Sequence, residues 1–317
     1  MFTKLTRVSL AAALLCGAVG CQNQTGQSTA VIAPASSATP DATIAATIKS
    51  LRTNNIGAFL DTALPAPVLA KAKADWSKDF NQGSISDEDR KKFADLVTKL
   101  TAPDAETKLY AEVEPQLTQF DQQMAQQMPM MIAMGQGFIQ NAVQQNKDLD
   151  EQQKKQTLDA MNAIAKWAGT VKFTDPALVK QVIAVTCKTA RDLNLKTLDE
   201  MRAMSFDQAT QKAGIAIGGL KKALDVYGLS IDQALDSTKV EVLSVEGDKA
   251  KVKINYSLLN APLSTEGDMV KLDGKWYGKQ AVDQWNKSQQ ISAAPAAAAS
   301  PTAAPDSNDE DGDGDNQ

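Results

Sequence analysis

Histidine is absent from this 317-residue sequence, and cysteine occurs only three times. The absence of histidine excludes every mechanism that uses an imidazole base and every metal site with imidazole ligands. Lysine and arginine number 33 against 38 aspartates and glutamates, so no basic excess indicates a nucleic-acid partner. The G-x-S-x-G, S-x-x-K and G-x-x-x-x-G-K signatures are also missing. We therefore expect neither an enzymatic activity nor a resident cofactor.

The first 20 residues have the pattern of an export signal. Lys4 and Arg7 supply positive charge, and residues 8–15 form a short apolar run. This run is far shorter than the ~20 apolar residues that a membrane-spanning helix requires. Residues 1–20 are therefore predicted to be a signal peptide.

The end of this signal carries a family resemblance. Ala18, Val19 and Gly20 directly precede Cys21. A small-residue triplet followed by cysteine resembles the lipobox of bacterial lipoproteins. The resemblance implies cleavage between Gly20 and Cys21, diacylglycerol on the Cys21 thiol and an acylated new amino terminus. Two or three acyl chains anchor a protein stably, whereas one does not.

The resemblance also implies a location. Gln22 stands where many such lipoproteins carry the aspartate that retains them in the inner membrane. The protein is therefore expected in the outer membrane of a Gram-negative cell, anchored by Cys21 and facing the periplasm. Residues 21–40 carry no charge and predict a flexible tether, and residues 291–317 predict a disordered Ala/Pro-rich and acidic tail.

Residues 41–236 show apolar positions at helical spacing for most of their length. Ser86 before three acidic residues predicts one helix start, and Gly228 predicts a helix end after Tyr227. A helix opening at Asp104 is expected to extend through Pro115 and Pro129 towards residue 143. The residues of segment 176–193 expected to be well buried are Leu178, Val182, Ile183, Ala184 and Val185.

Residues 237–290 change to the alternating pattern of strands. They predict a three- to four-stranded antiparallel meander packed on the helices, with a hairpin turn at Asp273-Gly274. The fold class is therefore α+β, mostly helical with the sheet last. The motifs V-x-G-D-x-A-x-V and D-G-x-W-Y resemble those of helix-rich envelope lipoproteins, and the meander is similar to cystatin-like and nuclear-transport-factor-like sheets. This resemblance implies no catalytic residue.

Of the three cysteines, only one is expected to remain as a free thiol in the mature chain. Cys16 is expected to be removed with the signal peptide and Cys21 to be lipidated. Cys187 is therefore left without a partner for an internal disulfide. Cys187 lies among apolar residues at helical spacing. We expect a buried small hydrophobe, with an intermolecular or reactive thiol as the alternative.

Half of the ten methionines fall within residues 124–134. Met124, Met128 and Met131 share one helical face. Core packing is the favoured interpretation, because methionine fills irregular cores. A partner or lipid surface, formed by these three with Met130 and Met134, remains open. A Cu(I) site at Met124, Met128, Met131 and Met134 also remains open, since thioethers are soft ligands.

Three functional hypotheses follow from the sequence. The leading one is a lipid-anchored periplasmic envelope protein that binds or scaffolds a partner, with the methionine-rich segment as the contact. The second is a periplasmic lipoprotein that binds Cu(I) or a small ligand. The third is a histidine-independent envelope hydrolase, which requires a pocket with converging serine, lysine or carboxylate groups.

Overall fold

The computed structural model describes residues 39–80, 84–147 and 149–293. These residues form eleven helices and four strands: α1 Pro40–Arg52, α2 Ile56–Ala63, α3 Ala66–Phe80, α4 Asp87–Thr101, α5 Ala105–Gln145, α6 Glu151–Thr170, α7 Pro176–Leu193, α8 Leu198–Arg202, α9 Phe206–Val226, α10 Ile231–Asp236, β1 Lys239–Glu246, β2 Lys249–Leu258, β3 Ala261–Leu272, β4 Lys275–Gly278 and α11 Lys279–Ala293. The predicted fold class, mostly helical with an antiparallel meander near the carboxyl end, is confirmed.

The helices begin and end at side chains that satisfy free backbone groups. Ser86 Oγ accepts a hydrogen bond from the Asp89 backbone at 3.1 Å, as its sequence context predicts. Asp150 and Ser205 each form a reciprocal capping box at the starts of α6 and α9. Gly228 follows α9 with a φ of +83°, a left-handed conformation that glycine adopts without a Cβ penalty.

The four strands form one antiparallel sheet in the order β1-β2-β3-β4. Val242 on β1 pairs with Val252 on β2, which pairs in turn with Gly267 on β3. The β3–β4 turn places Asp273 at φ +50° and Gly274 at φ +80°, as a two-residue hairpin with two left-handed positions requires. The predicted hairpin is therefore present.

The main core lies between the sheet and the first helix. Alternate residues of β2 point to one face, where α1 and α10 cover them. The buried members of this cluster are Ile44, Ile48, Leu235, Ala250, Val252, Ile254, Met269 and Trp276. This is the one-sided burial that the alternating pattern predicts.

Three details differ from the sequence-based expectations. The apolar pattern predicts a third strand only over Met269–Leu272, whereas β3 begins at Ala261, because its pairing with β2 extends through a polar stretch without apolar alternation. The meander ends at Gly278, and α11 occupies the rest of the region assigned to strands. In α7, Leu178, Val182, Ile183 and Val185 are only half-buried and Ala184 is exposed.

The error in α7 has a physical cause. The helix packs on α9, α5 and α4, but Cys187 is its one fully buried residue among those described, and its other apolar positions keep part of their surface in solvent. The expected small buried hydrophobe at Cys187 is therefore confirmed. Burial also raises the pKa of the Cys187 thiol, which keeps it in the less reactive protonated form.

Candidate functional site

Helix α5 exposes large apolar side chains on one face, four of them between residues 130 and 138 and the fifth at Phe120. Phe138, Met130 and Met134 are 76%, 71% and 69% exposed, and Phe120 and Met131 are also exposed. A helix turns by 100° per residue, so these five positions fall within about 100° of one another. We call Phe120, Met130, Met131, Met134 and Phe138 the α5 stripe.

The opposite side of α5 is fixed to the rest of the fold. The Ile132 side chain packs against the backbone of α6 at Gly169, and Gln136 Nε2 donates to Asn162 Oδ1 at 3.3 Å. Val143 is buried on the same side. The stripe therefore belongs to a helix that is held from behind, so its apolar surface faces outward.

The first half of α5 is held by polar contacts with α7. The Arg191 guanidinium donates to both carboxylate oxygens of Glu106, at 2.6 and 2.9 Å, and to the Ala102 carbonyl at 2.9 Å. Lys180 lies over the Tyr110 ring at 4.3 Å from its centroid. The bidentate pair fixes the start of α5 in a defined orientation on α7.

The surface around the stripe carries almost no charge. Residues 115–145 contain a single ionisable side chain, Asp121. Its carboxylate accepts a hydrogen bond from the buried Thr174 hydroxyl at 2.5 Å, and Lys172 Nζ lies 4.0 Å away. The one charge is therefore directed to the α6–α7 connection, and glutamines are the most frequent polar residues along the segment.

Core packing, the favoured interpretation of the methionine cluster, is wrong for three of its members. Met130, Met131 and Met134 all lie on the exposed surface. Helical periodicity places them on a common face but does not show whether another element covers that face. The side chains of Met124 and Met128 lie outside the described residues, although the backbone of α5 runs through both positions.

The described residues include only part of the methionine ligand set expected for Cu(I). Met130 and Met134 are one helical turn apart, with Met131 beside them. Among the described residues, no group of three or more histidine, cysteine or acidic side chains could hold a metal ion. Cys187 interacts with Glu106 at the other end of α5, about 36 Å along the helix from Met130. That thiol therefore cannot complete a methionine site.

An open groove of about 880 Å³ lies on the small-residue face of α9. Gly214 and Gly218 form part of its wall, beside the α1–α2 connection, and Thr189 and Lys188 border it from α7. The Lys188 ammonium pairs with Asp192 at 2.7 Å. Asp207, which also lines this open groove, pairs with Lys73 of α3 at 3.6 Å.

A second groove of about 570 Å³ lies between α6 and the sheet, and it combines serines with lysines. Lys155 pairs with Asp159 at 2.6 Å. The Ser237 hydroxyl donates to the Ala234 carbonyl and accepts from the Ser257 backbone, each at 2.8 Å. This hydroxyl therefore holds the turn into β1.

Two members of the stripe were missed by the sequence analysis. Phe120 and Phe138 lie 14 and 4 residues from Met134, positions that continue the methionine face in both directions. Their spacing relative to the methionines was the available signal.

The predicted lipidation site lies outside the described residues. Gly20 and Cys21, the tether that follows them and the tail after residue 293 belong to the undescribed ends. Within the described ranges, no helix combines the length and apolar character needed to cross a bilayer.

Comparisons with protein-family models, with curated proteins and with solved structures found no match to this chain.

Proposed function

We propose that this chain is a lipid-anchored periplasmic protein of the bacterial envelope that works by binding a protein partner through the α5 stripe. Cys21 attaches it to the outer membrane, and the helical domain presents the stripe. Catalysis has no part in this function.

The exposure of the stripe is the observation that supports the proposal. Four of the five large apolar side chains lie within residues 130–138, exposed on a helix whose other side is packed. Contiguous apolar surfaces of this kind are uncommon on soluble domains and mark contact sites. Methionine suits such a surface, because its unbranched and polarisable side chain adapts to the shape of a partner.

The tether is compatible with this use of the stripe. Residues 22–39 separate the anchored cysteine from the start of α1. Eighteen residues reach up to about 60 Å when extended. Anchoring therefore holds the protein at the membrane without dictating which face of the domain is presented to a partner.

Photocrosslinking in intact cells tests the proposal. A photoreactive amino acid replaces Met134 in one variant and Lys91 in a control variant. Lys91 is also highly exposed but lies on α4, outside the stripe. We expect discrete protein adducts from position 134 and none of matching yield from position 91. Equal labelling at both positions, or no protein adduct at position 134, would contradict the proposal.

One observation favours a second candidate, Cu(I) binding. The thioethers of Met130, Met131 and Met134 share a face and are accessible to a soluble ion. Cu(I) titration under reducing conditions, with the native chain and with all three methionines replaced by leucine, separates the candidates. Saturable binding below micromolar concentration that the leucine variant loses would support the metal site. Leucine retains the apolar surface, so the protein contact would survive in that variant.

A further inference from the structure

The sequence of the stripe region is partly symmetric about Pro129. With Pro129 as the centre, five of the nine residue pairs that flank it between positions 120 and 138 are identical. The matching pairs are Phe120 with Phe138, Gln122 with Gln136, Met124 with Met134, Ala125 with Ala133, and Met128 with Met130. Both phenylalanines and four of the five methionines are therefore placed symmetrically about one point of the helix, whereas Met131 has Gln127 as its counterpart.

On a helix, this mirror pattern produces a surface with approximate two-fold symmetry. At 100° per residue, positions 120 and 138 lie at the same angle around the helix axis, and position 129 lies 180° away from them. Positions 124 and 134 fall about 40° to either side of that line. Each phenylalanine lies nine residues, about 14 Å, from the centre. Rotation by 180° about an axis through this centre exchanges position 120 with position 138 and position 124 with position 134.

In an isologous dimer the same patch of both subunits meets itself, so residue i of one copy contacts residue j of the other and j contacts i. Two antiparallel α5 helices centred on position 129 set each member of a matching pair opposite its identical counterpart, which makes the patch self-complementary. We propose that the occupant of the α5 stripe is a second copy of this chain, with the two α5 helices antiparallel. Phe120 of each copy then lies against Phe138 of the other. This inference rests on the proposed function and names the partner of the same surface.

The charge distribution is compatible with self-association. Two copies bring no like charges together at the stripe, because residues 115–145 hold only Asp121 and its carboxylate is turned towards Thr174. The same segment contains no lysine or arginine. Helices that lie on lipid surfaces typically carry such cations along their polar face. The composition therefore favours a protein over a membrane as the occupant.

The size of the surface indicates a weak dimer. The stripe extends over 18 residues, about 27 Å, and buries on the order of 800 Å² in total when two copies meet. Interfaces of this area are weak or transient between freely diffusing proteins. Lipid anchors that confine both copies to one membrane raise their effective concentration, so a weak contact is sufficient there.

The test uses full-length, lipid-anchored protein in intact cells that express isotopically light and heavy copies together. A photoreactive amino acid replaces Phe138, and mass spectrometry identifies the crosslinked peptides. We expect light–heavy adducts that join position 138 of one copy to the peptide around Phe120 of the other. The reciprocal probe at position 120 is expected to label the peptide around Phe138.

Charge substitutions provide the matched controls. Phe138→Glu places two carboxylates in the apolar contact, and we expect the dimer adduct from a probe at position 131 to fall by about tenfold or more. Adding Phe120→Lys to Phe138→Glu brings opposite charges together twice in the antiparallel arrangement, so the adduct is expected to return. Both side chains are exposed, and circular dichroism checks that the variants remain folded.

The outcomes separate this inference from the proposed function. Adducts to a different protein would overturn the dimer and support the contact surface. Adducts to lipid alone, or no adduct at any stripe position, would overturn both. Light–heavy adducts that join position 138 to position 138 would overturn the antiparallel register, as would failure of the paired substitution to restore the dimer.

Discussion

Gly214 of α9 lies directly against the backbone carbonyl of Asn54 in the connection between α1 and α2. A Cβ added at Gly214 would approach the Asn54 oxygen to 2.2 Å, closer than real Cβ contacts allow. Gly218, one turn further along α9, meets the Asn54 side chain in the same way. These contacts bring the first two helices against α9.

Gly214→Ala is therefore expected to destabilise the protein by about 1–3 kcal/mol, because the backbone must shift to admit the methyl group. Gly137→Ala is the matched control within a helix, since a Cβ at Gly137 meets nothing within 4 Å. The control is expected to stabilise the fold by about 0.5–1 kcal/mol through helix propensity. Urea unfolding followed by tryptophan fluorescence measures both changes, and equal effects would contradict this packing.

Lys221 is the buried cation that joins α9 to α1 and α10. Its ammonium donates to the Leu51 carbonyl at 3.0 Å and to Asn54 Oδ1 at 2.9 Å, and it forms an ion pair with Asp232. Its side chain is 9% exposed. Lys221→Met leaves these acceptors without their donor, at a cost of about 1.5–3 kcal/mol.

The neighbouring residue supplies the control for this prediction. Lys222 is exposed, so Lys222→Met is expected to change the free energy of unfolding by less than about 0.5 kcal/mol. Urea titrations of the two variants give the comparison. A loss at Lys222 as large as that at Lys221 would contradict the role assigned to the buried ammonium.

The pair between Glu106 and Arg191 predicts a pH dependence of stability. Hydrogen bonds from the Arg191 guanidinium lower the pKa of Glu106 from 4.5 to about 2. A carboxyl whose pKa is lower in the folded state stabilises the fold fully above its unfolded pKa. The contribution is therefore present above pH 4.5 and is lost as the pH falls towards 2.

A double-mutant cycle with Glu106→Gln and Arg191→Met measures this contribution. We expect a favourable coupling between the two side chains at pH 6 that declines through pH 4 and disappears at pH 2. Thermal unfolding at each pH supplies the data. A coupling that stays constant from pH 6 to pH 2 would show that the ion pair does not contribute in the folded protein.

Lipidation of Cys21 is tested by the mass and location of the chain. The native protein is expected in the outer-membrane fraction, with an amino-terminal peptide that carries acyl chains on residue 21. Cys21→Ser is expected to lack this modification. A native chain that is unmodified and released in the soluble periplasmic fraction would contradict the anchor.

Local features of the fold were predictable because short-range chemistry determines them. Ser86 and Gly228 mark helix ends through hydrogen bonding and a left-handed turn, which a few neighbouring residues specify. The alternation around Val252 specifies a strand with one buried face. The four-residue spacing of Gly214 and Gly218 indicates a close backbone approach between packed helices, and the structure places the connection at Asn54 there instead of another helix.

The remaining features depend on tertiary placement. An apolar row at helical spacing predicts an amphipathic helix, but its burial depends on what packs against it. Apolar residues at helical spacing therefore led to an overestimate of the burial of Val182 in α7, and they did not show that Met134 faces solvent. Helix α11 was missed because its sequence is polar and follows the turn and strand signals at Gly274 and Trp276.

Methionine oxidation in native membranes tests the central claim, that the α5 stripe is covered in the working protein. A short pulse of peroxide converts accessible methionines to sulfoxides, and mass spectrometry compares membrane-anchored protein with dilute purified protein. Met269, only 5% exposed, is the internal reference for a residue protected in both samples. We expect Met130 and Met134 to oxidise rapidly in the dilute sample and slowly in the membrane. Equal rapid oxidation in both samples would show that the stripe is uncovered and would contradict the claim.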